Sequence, residues 1–405
     1  MPQAAVRLYL QAQNNPMTKI EMVDLKRQYQ RIKAEVDAAM QDVIDQSSFI
    51  NGKPVQDFAQ ELALYNGSKH VIPVANGTDA LQIAMMALDL QPGDEVISPS
   101  FTYFATVEAA ALLGLTNVFV DVDRKTFTID PQVLEAAITP ETKLIVPVHL
   151  YGQAANMEAI MTVADKHGIP VLEDNAQAIG GDYTFSNGVK KKTGNIGLVG
   201  STSFFPSKNL GCFGDGGALF TNDDELALKM KMIASHGQKI KYHHERIGIN
   251  SRLDTIQAAV LRVKLKHLDA YCGARMKVAD LYDAAFAEND MITTPLRASY
   301  AKHVFHQYTV MLNDAVDRGA LIEHLGDKGI PTMLYYPVPC HKQKAFENRG
   351  RVSGELANTE WLTPRVLSLP IHTEMTDDQL KYITEHVNAF CNDATKRVAS
   401  TNAFA

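Results

Sequence analysis

One lysine, Lys208, stands among aromatic, aliphatic and glycine residues in the run Ser203–Phe220, SFFPSKNLGCFGDGGALF. An ammonium in such company is poorly hydrated. Desolvation lowers a lysine's pKa and frees the amine as the nucleophile that Schiff-base chemistry needs. Gly211, Gly214, Gly216 and Gly217 remove side chains and competing charge, so the backbone can pass close to a ligand. Asp215 is the one carboxylate nearby in sequence, and its plain role is to hold the turn. A surface lysine in a glycine-rich loop is the competing reading, and Phe204, Phe205 and Phe213 weigh against it.

Three other stretches carry chemistry. In VANGTDALQIAMMAL, Asn76-Gly77-Thr78-Asp79 joins a strand to a helix. Its free N–H groups and the Thr78 hydroxyl suit a phosphate, though an ordinary helix N-cap has the same look. In IPVLEDNAQAIGG an apolar strand ends in Glu173 and Asp174, with Gln177 just beyond. Such a carboxylate either ion-pairs with a protonated heterocycle or caps the next turn. The segment HGQKIKYHHERIGINSRLD, residues 236–254, gathers Lys239, Lys241, Arg246 and Arg252 against Glu245 alone until Asp254. It offers a local seat for a diphosphate or carboxylate, or else a solvated loop, which is the better reading for Lys239 and Lys241 individually. Its histidines have no cysteine support, so no metal is expected. The order is informative: phosphate cradle, strand-end acid, isolated lysine 34 residues later, then basic patch.

These residues need a scaffold. Val71–Val74, Glu95–Ser98, Asn117–Val120, Lys143–Val148 and Pro170–Leu172 are short β-branched runs. Helical patterns near Asp79–Leu88, Phe104–Leu113, Pro131–Ala137 and Met157–Lys166 separate them, as in an α/β domain with a mainly parallel, covered sheet. Ser203–Phe205 and Ala218–Thr221 read as strands, Asp223 to about Ser235 as a helix, and Asp254 to about Glu288 as long helical stretches. Beyond these, Tyr308–Leu312 and Thr332–Tyr336 read as strands around a helix at Arg318–Lys328. A last helix carries Leu380, Ile383, Val387 and Phe390, completing a smaller α+β domain. The expected division is a leader at 1–16, a large domain at 17–270, a small domain at 271–397 and a tail at 398–405. Met17 precedes the first patterned helix, so the leader reads as a disordered or misassigned start.

The 405-residue chain is 46% hydrophobic and 21% charged, with a net charge of −7, which argues against a nucleic-acid or membrane-surface binder. No apolar run is long enough to span a bilayer. Cys212, Cys272, Cys340 and Cys391 are scattered, as reduced thiols of a cytoplasmic protein would be. A GxxxxGK[ST] loop is absent, which removes the NTPase reading.

The motifs ANGTDAL, SPSFTYFAT, VPVHLYGQ, EDNAQAIGG, SFFPSKNLGCFGDGGA, GINSRLDTIQAAVL and LSLPIH follow in an order that resembles the DegT/DnrJ/EryC1/StrS sugar-nucleotide aminotransferases. The resemblance runs from Ile20 to the final helix. It implies the aspartate aminotransferase-like fold type I of enzymes dependent on pyridoxal 5′-phosphate (PLP): a large domain with a mainly parallel mixed sheet and a smaller C-terminal α+β domain. It implies that Lys208 carries PLP as an imine and that Asp174 pairs with the pyridinium nitrogen. Gln177 would lie near O3′, Tyr103 would stack on the ring, and Gly77, Thr78 and Ser203 would hold the phosphate. Asn250 would reach it from the partner subunit of a homodimer with interfacial sites. Asn175 departs from the family's usual alanine.

The resemblance further implies an amino group drawn from glutamate and delivered to a nucleotide-linked keto-sugar. SFFPSKNLGC, YHHERIGINSRLD and LYYPVPCHKQ are most similar to the branch acting on UDP-2-acetamido-2-deoxy-3-oxo-D-glucuronate, for bacterial surface polysaccharide. Arg252 would hold the sugar carboxylate by its bidentate fork, and His306 or Tyr336 would close over the sugar. A dTDP-3-keto-6-deoxyhexose is the alternative acceptor, and a non-catalytic PLP-binding regulator the alternative role. A dehydratase of this fold has histidine in place of the lysine, which is retained here.

Overall fold

Consecutive residues of the buried strands turn to opposite sides and meet different cores, so both faces of the sheet are covered. Val96 packs with helices on one side and Ile97 with helices on the other. Ile72 and Leu219 join the first group, while Val71 and Phe220 face a third cluster. The computed structural model describes residues 19–393. The leader at 1–16, Met17 and the tail at 398–405 lie outside the described residues.

Two helices, α1 (Leu25–Asp45) and α2 (Lys53–Asn66), precede an alternating series. It runs β1 (His70–Val74), α3 (Gly77–Ala87), β2 (Glu95–Pro99), α4 (Ala105–Leu112), β3 (Thr116–Val120), α5 (Pro131–Ala137), β4 (Thr142–Ile145), α6 (Met157–His167) and β5 (Leu172–Asp174). There follow β6 (Asp182–Thr184), β7 (Lys190–Lys192), β8 (Val199–Ser203), β9 (Gly217–Thr221) and α7 (Asp224–Ile233). Next come β10 (Gln238–Ile240), β11 (His243–His244), α8 (Thr255–Leu265) and α9 (Leu268–Phe286). The last third holds β12 (Ile292–Thr293), β13 (Ala301–Lys302), β14 (Tyr308–Leu312), α10 (Arg318–Asp327), β15 (Arg351–Val352), α11 (Ala357–Leu362), β16 (Val366–Leu369) and α12 (Asp377–Asn392).

Strands β15, β3, β2 and β4 run parallel in that order. Parallel bridges Ile145–Val171 and Val148–Asp174 carry the sheet on to β5. It continues through β8 in parallel, then through β9 and β1 in antiparallel pairing. The result is the mainly parallel mixed sheet that the resemblance implies. Strands β12, β14 and β16 form a separate antiparallel sheet. Its core includes Tyr282 and Phe286 of α9, Leu321 of α10, and Leu380, Ile383, Val387 and Phe390 of α12. All four cysteines are buried.

Four local readings need correction. The strand expected over Ser203–Phe205 ends at Ser203, where the chain turns into the lysine loop. The helical stretch after Asp254 breaks between Leu265 and Leu268 into α8 and α9. Thr332–Tyr336 is not a strand: only Met333 bridges, to Ser368. Pro331 and Pro337 flank it and supply no ladder N–H. The partner of β14 is instead β16, whose LSL run was read only as part of a motif.

Candidate active site

Beyond the carboxyl ends of β1, β5 and β8 lies a cavity of about 630 Å³, where open α/β sheets bind their ligands. Gly77, Thr78, Tyr103, Asp174, Gln177, Ser203, Lys208, His306 and Tyr336 all line it. They come from distant parts of the chain, and each is aimed by its own local cause.

At the start of α3, Asn76 Oδ1 accepts the Asp79 N–H at 2.8 Å, which leaves the Gly77 and Thr78 N–H groups for a ligand. Gly77 permits a close approach: a Cβ there would stand 2.7 Å from Ser203 Cβ. Its absence brings the Ser203 hydroxyl beside the positive helix end. This is an anion cradle.

The short strand β5 delivers Asp174, which is 5% exposed. Its Oδ2 accepts from the Thr106 hydroxyl at 2.8 Å, and its Oδ1 from the Ala176 N–H at 3.1 Å. The adjacent Glu173 is fully buried and turned away from the cavity. Its carboxylate accepts from the N–H groups of Gly194, Ile196 and Gly197 at 2.9, 2.6 and 2.7 Å. His149 Nε2 lies 2.9 Å from it, while His149 Nδ1 accepts from the Ala155 N–H, so the imidazole presents its Nε2–H to Glu173. Asn175 also faces away, donating to the Thr193 carbonyl at 3.0 Å.

Lys208 is reached only by a loop that doubles back on itself. A Cβ on Gly211 would lie 2.3 Å from the Pro206 carbonyl oxygen, so the loop can close only with glycine there. Burial pulls the Lys208 ammonium down to about 8, against the opposing charge of Asp174. Around the rim, Gln177 Oε1 accepts the Tyr151 N–H at 2.8 Å, which turns its Nε2 to the Tyr336 hydroxyl at 3.0 Å. The Tyr103 ring stands 5.9 Å from that of Tyr336 and is half exposed. His306 is 4% exposed, and its Nδ1 has no hydrogen-bond partner among the described residues. Burial, with the charges of Lys208 and Arg275 adding, holds it neutral well below the ordinary histidine range.

Two expected site residues lie elsewhere. Asn250 is exposed and outside this cavity, and Arg252 lines a separate one of about 540 Å³ with α2, β1 and the end of α7. Thr106, Gln307 and Tyr335 were not foreseen. Thr106 lies within the quoted run SPSFTYFAT, one helical turn past Thr102, which was the available signal.

These residues fit PLP: an anion cradle, a buried carboxylate for a ring nitrogen, an exposed aromatic face and a desolvated amine share one cavity. Groups of histidine, cysteine or carboxylate able to hold a metal are absent among the described residues.

The sequence pattern of the DegT/DnrJ/EryC1/StrS aminotransferase family matches residues 30–388. A UDP-2-acetamido-2-deoxy-3-oxo-D-glucuronate aminotransferase of Pseudomonas aeruginosa is 47% identical over 90% of this chain and 98% of its own. A "pleiotropic regulatory protein" of Geobacillus stearothermophilus is 45% identical over 92% and 98%. Among solved structures, DesV of S. venezuelae, in complex with a ketimine intermediate, is 40% identical with a TM-score of 0.87, over 92% of this chain and 99% of that one. The chain therefore belongs to the DegT/DnrJ/EryC1/StrS family, the PLP-dependent aminotransferases of nucleotide-linked sugars.

Proposed function

We propose that the protein transfers an amino group from glutamate to C3 of UDP-2-acetamido-2-deoxy-3-oxo-D-glucuronate, in the cytoplasm, for a bacterial surface polysaccharide. The observation that carries the transaminase chemistry is the Lys208 amine, pulled to a pKa of about 8 within the cavity that Asp174 also lines. Similarity to the P. aeruginosa enzyme supports the substrate.

Asp174, its two oxygens fixed by Thr106 and Ala176, would keep the proton on the ring nitrogen. When bound, PLP supplies an electron sink that acidifies the carbon bearing the amine. Lys208 Nζ would take the proton from that carbon as general base and give it to C4′ as general acid, its lowered pKa suiting both roles. The first turn of α3, Thr78 and Ser203 would hold the phosphate. Tyr103 would cover the ring face, and Gln177 would lie near O3′. Asn250 and Arg252 act on the site of a second copy in a homodimer, Arg252 through its fork on the sugar carboxylate. The chain divides near residue 270 into a large and a small part, and His306 and Tyr336 from the latter close over the sugar.

Lys208→Ala is expected to fold but lose both the imine absorbance and turnover; unchanged turnover would exclude the assignment. The substrate is tested by comparing the UDP-uronate with a dTDP-3-keto-6-deoxyhexose in wild type and Arg252→Ala. Wild type should favour the uronate and the variant should lose that preference. A preference that survives the substitution removes Arg252 from the carboxylate.

A further inference from the structure

Behind the cavity wall sits a serine–histidine–glutamate cluster that the chemistry above does not use. Ser100 Oγ lies 2.7 Å from His341 Nδ1, and His341 Nε2 lies 3.5 Å from a Glu360 carboxylate oxygen. The grouping is not a hydrolytic triad. Ser100 is fully buried, and its oxygen also accepts the His341 backbone N–H at 3.2 Å, so no acyl group could reach it. With Nε2–H toward Glu360, and burial keeping the ring neutral, Nδ1 is the acceptor and the Ser100 hydroxyl the donor.

The same two stretches meet at further points. The Cys340 N–H donates to the Ser100 carbonyl at 2.9 Å, and Cys340 Sγ reaches the Thr102 carbonyl at 3.6 Å. Ser100 is itself tied to the sheet, donating its N–H to the Val120 carbonyl at 3.0 Å. Three residues beyond Ser100 stands Tyr103. On the other side Pro337-Val338-Pro339, stiffened by two prolines, leads back to Tyr336. A circuit of covalent and hydrogen bonds thus closes at Ser100–His341 and opens, at its far end, on the two rings that flank the cavity 5.9 Å apart.

We propose that Ser100 and His341 are positioning residues that set the gap between Tyr103 and Tyr336, and with it the seat of the sugar nucleotide. The inference rests on the aminotransferase reading and assigns specificity within that site to a pair that touches neither cofactor nor substrate.

The test uses PLP-loaded wild type, Ser100→Ala, His341→Leu and His341→Asn, the last keeping an acceptor near the Nδ1 position. Visible circular dichroism of the bound cofactor reads the ring's surroundings, and steady-state kinetics with UDP-2-acetamido-2-deoxy-3-oxo-D-glucuronate reads the seat. Losing the bond should weaken the cofactor's dichroic band and raise KM for the sugar nucleotide about tenfold, with kcat within about threefold of wild type. His341→Asn should recover most of both. The pair is merely structural if His341→Asn is as impaired as His341→Leu, or if the variants lose melting temperature while the band and KM stay unchanged. The dichroic band needs cofactor alone. A wild type that shows it but aminates no UDP-uronate defeats the substrate assignment, and the band in the variants still decides the role of the pair.

Discussion

The reactivity of the site turns on how far Lys208 has been taken out of water. Its lowered pKa means the neutral amine predominates above about 8, where an ordinary lysine at 10.5 would still be charged. Uptake of PLP by the cofactor-free protein should therefore accelerate from about pH 7 to about pH 9 and level off above. Stopped-flow absorbance checks this, and a rate still climbing beyond about pH 10 would place the amine in bulk solvent. The sign for stability follows: the unfolded chain keeps the proton that the folded one has lost, so this group's contribution rises with pH between about 8 and 10.5. Lys208 was legible in the sequence because it stands as the one cation in a run of apolar, small and glycine residues. Thr106 was not, because the carboxylate it orients is 68 residues away.

At the scale of elements, strand β5 decides the roles of two adjacent acids that the sequence left open. Its pleat turns Asp174 into the cavity, where it also takes the Ala176 N–H of the turn that follows, and turns Glu173 toward the turn at 194–197. Glu173 also anchors the strand, for its buried carboxylate satisfies backbone N–H groups and His149 together. Glu173→Gln would set an amide NH₂ against those donors, and should lower the unfolding free energy by about 2–4 kcal/mol. Urea denaturation of the PLP-bound protein measures it. A change under about 0.5 kcal/mol would mean that other contacts hold the strand end. The segment at 332–336 makes the converse point. Its apolar residues suit a strand, but the flanking prolines and the pull of Tyr335 and Tyr336 into the cavity keep it out of the ladder.

At the scale of the molecule, one chain assembles the cradle, the acid, the lysine and both rim tyrosines, while Asn250 and Arg252 face elsewhere. The proposed homodimer, in which a second copy supplies those two residues, gives a direct prediction. Lys208→Ala and Asn250→Ala chains, each expected to be inactive or nearly so alone, should complement when unfolded and refolded together. Random pairing makes half the dimers mixed, each with one intact site, or about a quarter of wild-type activity. Assay of the mixture against its separate components checks it. No recovery would confine each site to a single chain.

Local chemistry was readable along the chain: which lysine is desolvated, which loop starts a helix with free N–H groups, and which apolar runs alternate with helices. These depend on neighbours within a few residues, where composition and period act directly. The tertiary structure alone decided that Glu173 turns away to backbone N–H groups and His149, which hydroxyl orients Asp174, and that Ser100 meets His341 across 241 positions of sequence. Those contacts arise from strand pairing and core packing between remote segments, and no local pattern encodes the meeting of two stretches that touch only after the sheet has formed.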